Sequence, residues 1–317
     1  MNFAWPPLSR FSFHPRVLVL LVLLILLFPP WVLSAWAGEV PQASPASVGS
    51  GPAESSADEA ALPPDMKKVL RRGQLVVATA SFNIPPFVVQ DAQGQVSGMD
   101  IDLARGIARS LGVEAVFVTA STFNGVIDLV ATGQADIGVS KLSTTLSRAK
   151  RVRFSQPYLV LRHAMLLNNV ALSRAEGDTR SIVKRFDRKI GVIRESAYAE
   201  FARLQFPKAE IVEFDRWDPD VLAAVRDGQV FGVLRDEFEV MKVMRSHPQS
   251  SLLLKPVVLT DMVSNVAVAV GWQEQQLLSW IDLYLSMNPR SKLTVTKLLE
   301  TVPLATGEAK SGVSGTR

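Results

Sequence analysis

The stretch "SKLSTTLSRAKRVRFSQPY", residues 140–158, combines hydroxyl side chains with five basic residues. Arg148 follows a run of Ser and Thr in this stretch. A guanidinium is a planar fork of N–H donors that can bind a carboxylate through two parallel hydrogen bonds, and nearby hydroxyls could complete an anion pocket. The alternative is a solvated run of charge formed by Arg148, Lys150, Arg151 and Arg153. Spacing alone favours the solvated run and leaves both interpretations open.

Two further segments could bind charged groups of a small ligand. Asp236 follows a predicted buried strand, where its carboxylate could hold an ammonium group or could instead cap the helix predicted for "EFEVMKVM". Ser196, in "RES", begins another predicted helix, where its hydroxyl and the free amides could bind an anion or simply cap the helix. Phe82, Phe87 and Phe123 lie near predicted strand ends and could line a pocket, although aromatic residues there are more often core.

Composition excludes several kinds of chemistry. The chain has no cysteine and 3 histidines, so disulfides and thiolate catalysis are excluded, and neither a zinc site nor a nucleophile–base–acid triad is expected. "GQADIG" looks like a dinucleotide-binding motif, but it precedes a predicted strand instead of beginning a helix. Lys and Arg total 34 against 30 Asp and Glu, too small an excess to indicate nucleic-acid binding. We therefore expect no cofactor, no metal and no nucleic-acid partner.

Alternating strands and helices must position these side chains. Short apolar segments such as "QLVVATA" and "EAVFVTA" are typical of strands, and apolar residues recur at helical spacing in "SGMDIDLARGIARSLG", where Asp100 could cap the helix. The strand–helix–strand order predicts parallel βαβ units. The second half of the chain repeats this order, and Gly133–Gly138 is similar to Gly228–Gly232. We therefore predict an α/β fold of two Rossmann-like lobes with a ligand cleft between them.

The predicted topology also indicates where a ligand would bind. In open α/β sheets, ligands bind beyond the carboxyl ends of the strands, and a cleft between two lobes is a common ligand site. Ser140, Lys141, Arg235 and Asp236 each follow the last strand of a repeat unit. Their spacing makes them candidates to face the cleft.

The N-terminus has the pattern of a secretory signal peptide. "RFSFHPR" is basic, "VLVLLVLLILLFPPWVLSAWA" carries no charge, and the small-x-small pattern "AWA" precedes Gly38. We predict a signal peptide over 1–37, with an uncleaved membrane anchor as the alternative. Residues 38–65 are rich in Ala, Ser, Pro and Gly and predict a disordered linker, and 303–317 predict a flexible tail.

Five segments, in a fixed order, carry a resemblance to a known family. They are "GQLVVATASFNIPPF", "GQVSGMDIDLARGIARSLG", "FNGVIDLVATGQADIGVSKLSTTLSRAKRVRFSQPY", "KIGVIRESAYAEF" and "DGQVFGVLRDEFEV". Over roughly residues 67–300 the chain resembles the periplasmic solute-binding proteins of polar amino-acid ABC transporters (bacterial extracellular solute-binding protein family 3). The resemblance implies a periplasmic-binding-protein type II fold that closes by hinge motion. It places lobe I at 67–159 plus 263–302 and lobe II at 160–262.

The resemblance also implies roles for residues of the cleft. Arg148 would bind the α-carboxylate of the ligand, and Asp236 would bind its ammonium group. Lys141 and Ser143 would contact the α-amino end of the ligand, and Ser196 would supply the hydroxyl at the start of the second-lobe helix. Phe123 would form the aromatic wall, with Ile84 at a position where an aromatic residue often stacks. With Phe82 added from its place near a strand end, the predicted ligand-binding residues are Arg148, Asp236, Ser143, Lys141, Ser196, Phe123, Ile84 and Phe82.

Four positions depart from the family pattern. Lys141 replaces a usual Gly or Ser, and Glu195 replaces a usual Gly. Ile84 replaces a frequent aromatic residue, and Phe231 replaces a common Asp. Lys141 matters most, because its ammonium group could neutralise Asp236, could bind a second acidic group of the ligand, or could point to solvent.

The resemblance implies a binding protein and not an enzyme. We expect an exported, periplasmic, monomeric protein that captures an amino acid or a related small zwitterion or carboxylate and delivers it to the permease of an ABC transporter. One alternative is a lyase similar to cyclohexadienyl or arogenate dehydratase on the same scaffold, with Glu239 as general acid. Another is a membrane-tethered ligand sensor. The identity of the ligand stays open.

Overall fold

The computed structural model describes residues 62–288 and 294–302. The predicted signal peptide, nearly all of the predicted linker and the predicted tail lie outside the described residues. Within the described ranges, no helix combines the length and the apolar character needed to cross a membrane.

The described residues contain both long and very short strands. In chain order they are Gln74–Ala80 (β1), Val89–Gln90 (β2), Val96–Ser97 (β3), Glu114–Ala120 (β4), Ile137–Gly138 (β5), Arg153–Phe154 (β6), Leu159–Asn168 (β7), Lys189–Ile193 (β8), Glu210–Phe214 (β9), Gly232–Asp236 (β10), Leu254–Val266 (β11) and Ala269–Val270 (β12).

The α-helices are equally varied in length. In chain order they are Pro64–Arg72 (α1), Met99–Ser110 (α2), Phe123–Ala131 (α3), Leu146–Ala149 (α4), Asn169–Ser173 (α5), Thr179–Lys184 (α6), Ala197–Gln205 (α7), Leu222–Arg226 (α8), Glu237–Ser246 (α9), Gln275–Met287 (α10) and Val295–Glu300 (α11).

The strands form two five-stranded sheets, each the centre of one lobe. The first has the order β4–β1–β5–β12–β6, and β1 pairs in parallel with both β4 and β5. The second has the order β11–β7–β10–β8–β9, with β8 parallel to β9 and β10. The parallel pairs are those that the βαβ order predicts, whereas β12, β7 and β11 add antiparallel strands.

Helices bury apolar side chains against both faces of each sheet. In the first lobe, Leu103 and Ile107 of α2 and Leu277 of α10 pack with β1 side chains in one core cluster, and α3 contributes to a second cluster. In the second lobe, α7 packs on one face, and α8 and α9 pack on the other. Successive side chains of β10 point to opposite faces of the second sheet, so Val233 and Leu234 belong to different core clusters.

The chain passes between the lobes twice. It leaves the first sheet after β6 and enters the second with β7, and it leaves the second after β11 and returns with β12. β11 pairs with β7 as far as Val266, and Ser143 forms an isolated bridge with that residue. The crossings lie close to the predicted lobe boundaries, but the boundary positions themselves stay a prediction.

Candidate functional site

The carboxyl ends of β5 and β10 meet in the cleft between the lobes. Lys141 comes three residues after β5, and Asp236 is the last residue of β10. A small cavity of about 10 Å³ lies between them, lined from both lobes. That volume holds about one water molecule. The lining residues are Phe123, Lys141, Ser143, Arg148, Leu161, Ser196, Ala197, Tyr198, Arg235, Asp236 and Val266.

Arg148 is a buried side chain of the cleft and not part of a solvated patch. Only 4% of it is exposed. Nη1 donates to the carbonyl of Ser143 at 3.0 Å, Nη2 donates to the carbonyl of Glu195 at 3.3 Å, and Nε lies 3.4 Å from Oδ1 of Asn124. These contacts come from both lobes. The guanidinium therefore lies at the junction of the lobes with neutral acceptors around it.

A short helix places Arg148 there. Thr145 caps α4, because its hydroxyl accepts a hydrogen bond from the Arg148 backbone N–H at 3.3 Å. Burial lowers the pKa of Arg148 to about 10, and the negative charge of Glu200 partly opposes this shift. The group stays positively charged at neutral pH, but it has lost most of its hydration. A poorly hydrated cation without a carboxylate contact is suited to bind an anion.

The other basic residues of the segment behave as expected for surface charge. Lys150 and Arg151 are exposed, Arg153 is half-buried, and Arg151 forms an ion pair with Asp128. Residues 148–153 therefore divide into one buried arginine and a partly solvated remainder.

The side chain of Lys141 points into the cleft and not into solvent. Its Nζ lies 3.1 Å from Oδ2 of Asp236 and 3.0 Å from Oε1 of Glu239. It also lies 5.0 Å and 5.3 Å from the ring centroids of Phe87 and Phe238. Two carboxylates and two aromatic faces form a box for an ammonium group. This chain fills the box with its own lysine.

The backbone of Lys141 is held in an unusual conformation. Its φ is +45°, in the left-handed region, and Glu195 across the cleft has φ +55°. Side chains other than glycine are uncommon there and cost stability. The Lys141 N–H donates to the carboxylate of Asp100, which also accepts from the Tyr158 hydroxyl at 3.0 Å.

The prediction that Asp100 caps α2 was wrong. The N-cap position is Gly98, which has no side chain to cap with, and Asp100 is a buried residue of the first turn. Its carboxylate fixes the Lys141 loop, a role that the local pattern did not reveal because the partner is far away in sequence.

Asp236 has two functions at once. It caps α9, accepting a hydrogen bond from the Glu239 N–H at 3.1 Å, and it pairs with Lys141. Glu239 contacts Lys141 at 3.0 Å and Lys242 at 2.6 Å. Burial raises the pKa of Glu239, but Lys141, Lys242 and Arg235 together outweigh burial, so the net shift is downward. Glu239 is a carboxylate at neutral pH.

The two predicted hydroxyls line the small cavity. Ser143 is buried and forms a hydrogen bond of 2.7 Å with Ser264. Ser196 occupies the N-cap position of α7 but makes no capping bond, because its hydroxyl donates to the Ile193 carbonyl at 2.7 Å. Neither hydroxyl touches Arg148 directly through its side chain. Both line the same small cavity as Arg148.

The predicted aromatic wall belongs mainly to a larger cavity. This cavity, of about 520 Å³, lies between the lobes, and its lining includes Phe82, Ile84 and Phe123 from the first lobe. Phe82 and Phe123 pack edge to face with ring centroids 5.2 Å apart. Phe123 also lines the small cavity, so the two spaces are neighbours.

The sequence made Arg235 a candidate to face the cleft but gave it no ligand role; in the structure it lines both cavities. Its guanidinium lies between Tyr198 and Trp217, 5.3 Å and 5.7 Å from their ring centroids. It is 6% exposed, and its Nε has no hydrogen-bond partner among the described residues, nor does Nε1 of Trp217. Its place beside Asp236 at a strand end was the only signal in the sequence.

The described residues contain no group of three or more His, Cys, Asp or Glu side chains able to hold a metal ion. The site as built is a charged, aromatic cleft between two α/β lobes.

These features define a two-lobed ligand-binding protein with the type II periplasmic-binding-protein fold, as predicted. The chain belongs to the bacterial extracellular solute-binding proteins, family 3, whose family model matches residues 75–286. The predicted family and fold class are thereby confirmed.

Relatives within this family include both binding proteins and enzymes. The ABC transporter arginine-binding protein 1 of Escherichia coli is 25% identical over 178 residues, 56% of this chain and 69% of that protein. Cyclohexadienyl dehydratase of Pseudomonas aeruginosa is 28% identical over 187 residues, 58% of this chain and 67% of that protein. Among solved structures, an ancestral amino acid-binding protein, a precursor of cyclohexadienyl dehydratase, matches with a TM-score of 0.58 and 27% identity over 74% of this chain and 97% of that one.

Proposed function

We propose that this protein is an exported solute-binding protein that captures an amino acid or a related small carboxylate in the interlobe cleft. The observation that carries the proposal is Arg148, a buried, charged guanidinium at the junction of the lobes whose hydrogen bonds all go to neutral oxygens. A carboxylate would satisfy it better than the oxygens now around it, because charge-assisted bonds are stronger than neutral ones. Ser143, Ser196 and the wall formed by Phe82, Phe123 and Ile84 would contact the rest of the ligand.

The family supports the remaining parts of this proposal. Its members are extracellular solute-binding proteins, and the curated relatives include binding proteins of ABC transporters. We infer that the chain is periplasmic, acts as a monomer and delivers its ligand to the permease of such a transporter. Uptake of a labelled ligand by cells, with and without this chain, tests the delivery step.

A thermal-shift screen tests ligand capture. Amino acids, oxo acids and dicarboxylates are added to the purified full-length chain, and a ligand that binds only the native state raises its melting temperature. Arg148→Gln should reduce affinity for the ligand found by at least about 30-fold, because it removes one partner of a buried charge pair. Arg151→Gln, in the same segment but exposed and paired with Asp128, is the matched control and should change affinity less than twofold. Equal effects of the two variants would contradict the proposal.

The second candidate is a lyase, favoured by the similarity to cyclohexadienyl dehydratase and by the buried carboxyl group of Glu239. A general acid must hold a proton at the working pH. Lys141 and Lys242 contact Glu239, and the net shift lowers its pKa, so it has no proton to donate at neutral pH. We therefore expect no phenylpyruvate from prephenate. If the unmodified chain forms phenylpyruvate from prephenate and Glu239→Gln loses this activity, the lyase is established instead.

A further inference from the structure

The ammonium box of the cleft is already occupied. Lys141 Nζ lies 3.1 Å and 3.3 Å from the two carboxylate oxygens of Asp236 and 3.0 Å from Glu239. The space left beside these groups is about 10 Å³, enough for about one water molecule, so any ligand that reaches Arg148 or Asp236 enters only after the lobes separate. A ligand ammonium would have to compete with a lysine that is attached to the protein. The carboxylate that would recognise an α-amino group is thus already neutralised.

The charges that line the cleft do not balance. Four cations, Lys141, Lys242, Arg148 and Arg235, face two carboxylates, Asp236 and Glu239, in the lining of the two cavities. The two lysines are each in contact with a carboxylate. This leaves two guanidinium groups without a carboxylate at hydrogen-bond distance. Nε of Arg235 comes no closer to Asp236 than 3.9 Å.

The remaining lysine, arginine and acidic residues in the lining of the large cavity are two arginines and two carboxylates, Arg194, Arg216, Asp215 and Asp218. Arg194 contacts Asp215 at 3.0 Å, and Arg216 contacts Asp220 at 2.9 Å. These pairs are largely exposed and contribute little net field to the cleft. They do not change the excess of two positive charges inside it.

The guanidinium of Arg235 is held in a defined position in the wall of the large cavity. The rings of Tyr198 and Trp217 hold its guanidinium, and the Trp217 indole N–H is a second buried donor without a partner. Unpartnered buried donors cost stability, and these two atoms are buried behind the wall of the 520 Å³ cavity that their residues line, so an acceptor reaches them only when the wall moves. An acidic group with two oxygens has the acceptors that this surface lacks.

We propose that the cleft takes an organic dianion without an α-amino group, bound by Arg148 through one acidic group and by Arg235 through the other, while Lys141 replaces the ammonium of an amino acid. This inference rests on the proposed function and specifies its ligand class. A dicarboxylic oxo acid neutralises both guanidinium groups. An acidic amino acid brings an extra cation to a box that is full, and a monocarboxylate leaves Arg235 unpartnered.

Calorimetry on the full-length chain with three matched probes tests this inference. 2-Oxoglutarate should bind at least tenfold more tightly than L-glutamate, from which it differs by an oxo group in place of the ammonium. It should also bind at least tenfold more tightly than 2-oxopentanoate, which lacks the second carboxylate. Tighter binding of glutamate would overturn the inference and leave the proposed function standing, whereas no binding by any amino acid or carboxylate would overturn both.

Three variants separate the parts of the inference. Arg235→Gln should weaken 2-oxoglutarate at least tenfold while leaving 2-oxopentanoate within twofold, and an equal loss for both probes would exclude Arg235 as a second anion subsite. Lys141→Gly, which suits the left-handed backbone, should reverse the preference towards glutamate by freeing Asp236. An unchanged preference would exclude Lys141 as the replacement for an ammonium. Arg151→Gln, exposed, paired with Asp128 and outside the lining of both cavities, is the control and should bind all three probes like the unmodified chain.

Discussion

Buried cations of the cleft differ in how well they are satisfied. The ammonium of Lys141 has two carboxylates and two rings around it, whereas the guanidinium of Arg235 has two rings and no hydrogen bond among the described residues. The first arrangement stabilises a unique packing of the cleft. The second stores free energy that an incoming acceptor can recover. If Arg235 binds the ligand as proposed, stability and ligand recognition are divided between neighbouring side chains of the same charge.

A buried histidine makes stability depend on pH. His163 lies opposite Asp236 in the sheet, packs against the rings of Tyr198 and Phe201, and pairs with Gln205 through Nδ1. Burial lowers its pKa below the ordinary 6.5, although Gln205 and Asp236 oppose the shift. The unfolded chain therefore takes up a proton as pH falls through about 6.5, before the folded chain does.

We expect this histidine to contribute stability above pH 6.5 that is lost as pH falls below that value. Urea unfolding at intervals from pH 8 to pH 5 measures the free energy of unfolding. The decline below pH 6.5 should be smaller in His163→Asn, which keeps a polar partner for Gln205 but does not titrate. A His163→Asn profile parallel to that of the unmodified chain would contradict the assignment.

At the scale of the elements, two glycines bound the helix α2 for different reasons. Gly98 precedes the helix with φ +114°, and a Cβ there would lie 2.8 Å from the carbonyl oxygen of Pro86, closer than real contacts allow. Gly112 follows the helix with φ +73° and has nothing within 4 Å. Glycine is required at position 98 both because a Cβ would clash and because φ is positive. At position 112 it is favoured only because φ is positive.

Alanine at these two positions should separate the two causes. Gly112→Ala should lower the free energy of unfolding by about 1–2 kcal/mol, the cost of a left-handed residue with a side chain. Gly98→Ala should cost clearly more, because the backbone around Pro86 and Phe87 must also move. Denaturant unfolding of both variants gives the comparison, and equal losses would show that space at Gly98 is not limiting.

Much of the fold could be predicted at this scale. The alternation of apolar segments gave β1 and β4 with their observed bounds, and the order of the elements gave the parallel pairs. The two-residue strands β2, β3 and β6 were not predicted in detail, because so few residues show no periodicity. α8 begins only at Leu222, since Asp218 has extended backbone angles and interrupts the preceding segment Trp217–Val221.

The sequence predicted which residues lie in the cleft, but it did not predict which groups their side chains contact. Spacing and resemblance brought Arg148, Asp236 and Lys141 to one cleft, where the structure also has them. The direction of the Lys141 side chain depends on Asp100 and Glu239, which are 41 and 98 residues away in sequence. No local pattern carries that information. The ligand roles of these residues stay a prediction until binding is measured.

At the scale of the whole molecule, contacts between the lobes decide how far they separate. Besides Lys141, a second link joins them, since the carboxylate of Glu200 on α7 accepts hydrogen bonds from the hydroxyl and the N–H of Ser147 next to Arg148. Phe87 and Phe238 add an edge-to-face contact with centroids 5.6 Å apart. The lobes are thus joined by charge, hydrogen bonds and an aromatic pair.

Removal of the Glu200 link should favour separated lobes. The contact is partly exposed, so Glu200→Ala should shift the balance by about 1 kcal/mol. Small-angle scattering should show a larger radius of gyration for the unliganded variant and a return to the original value at saturating ligand. Glu210→Ala, which removes a surface pair with Lys189 inside the second lobe, is the control and should leave the radius unchanged. An unchanged radius for Glu200→Ala would show that this link does not hold the lobes.

The ion pairs of Lys141 have a kinetic consequence. The lysine belongs to the first lobe and both of its carboxylate partners belong to the second, so the cleft cannot open without separating them in every cycle, with or without a ligand. Spontaneous opening therefore becomes the slow step of association. Observed association rates should then level off at high ligand concentration, at a plateau equal to the opening rate, and the internal lysine sets how quickly the binding site becomes accessible.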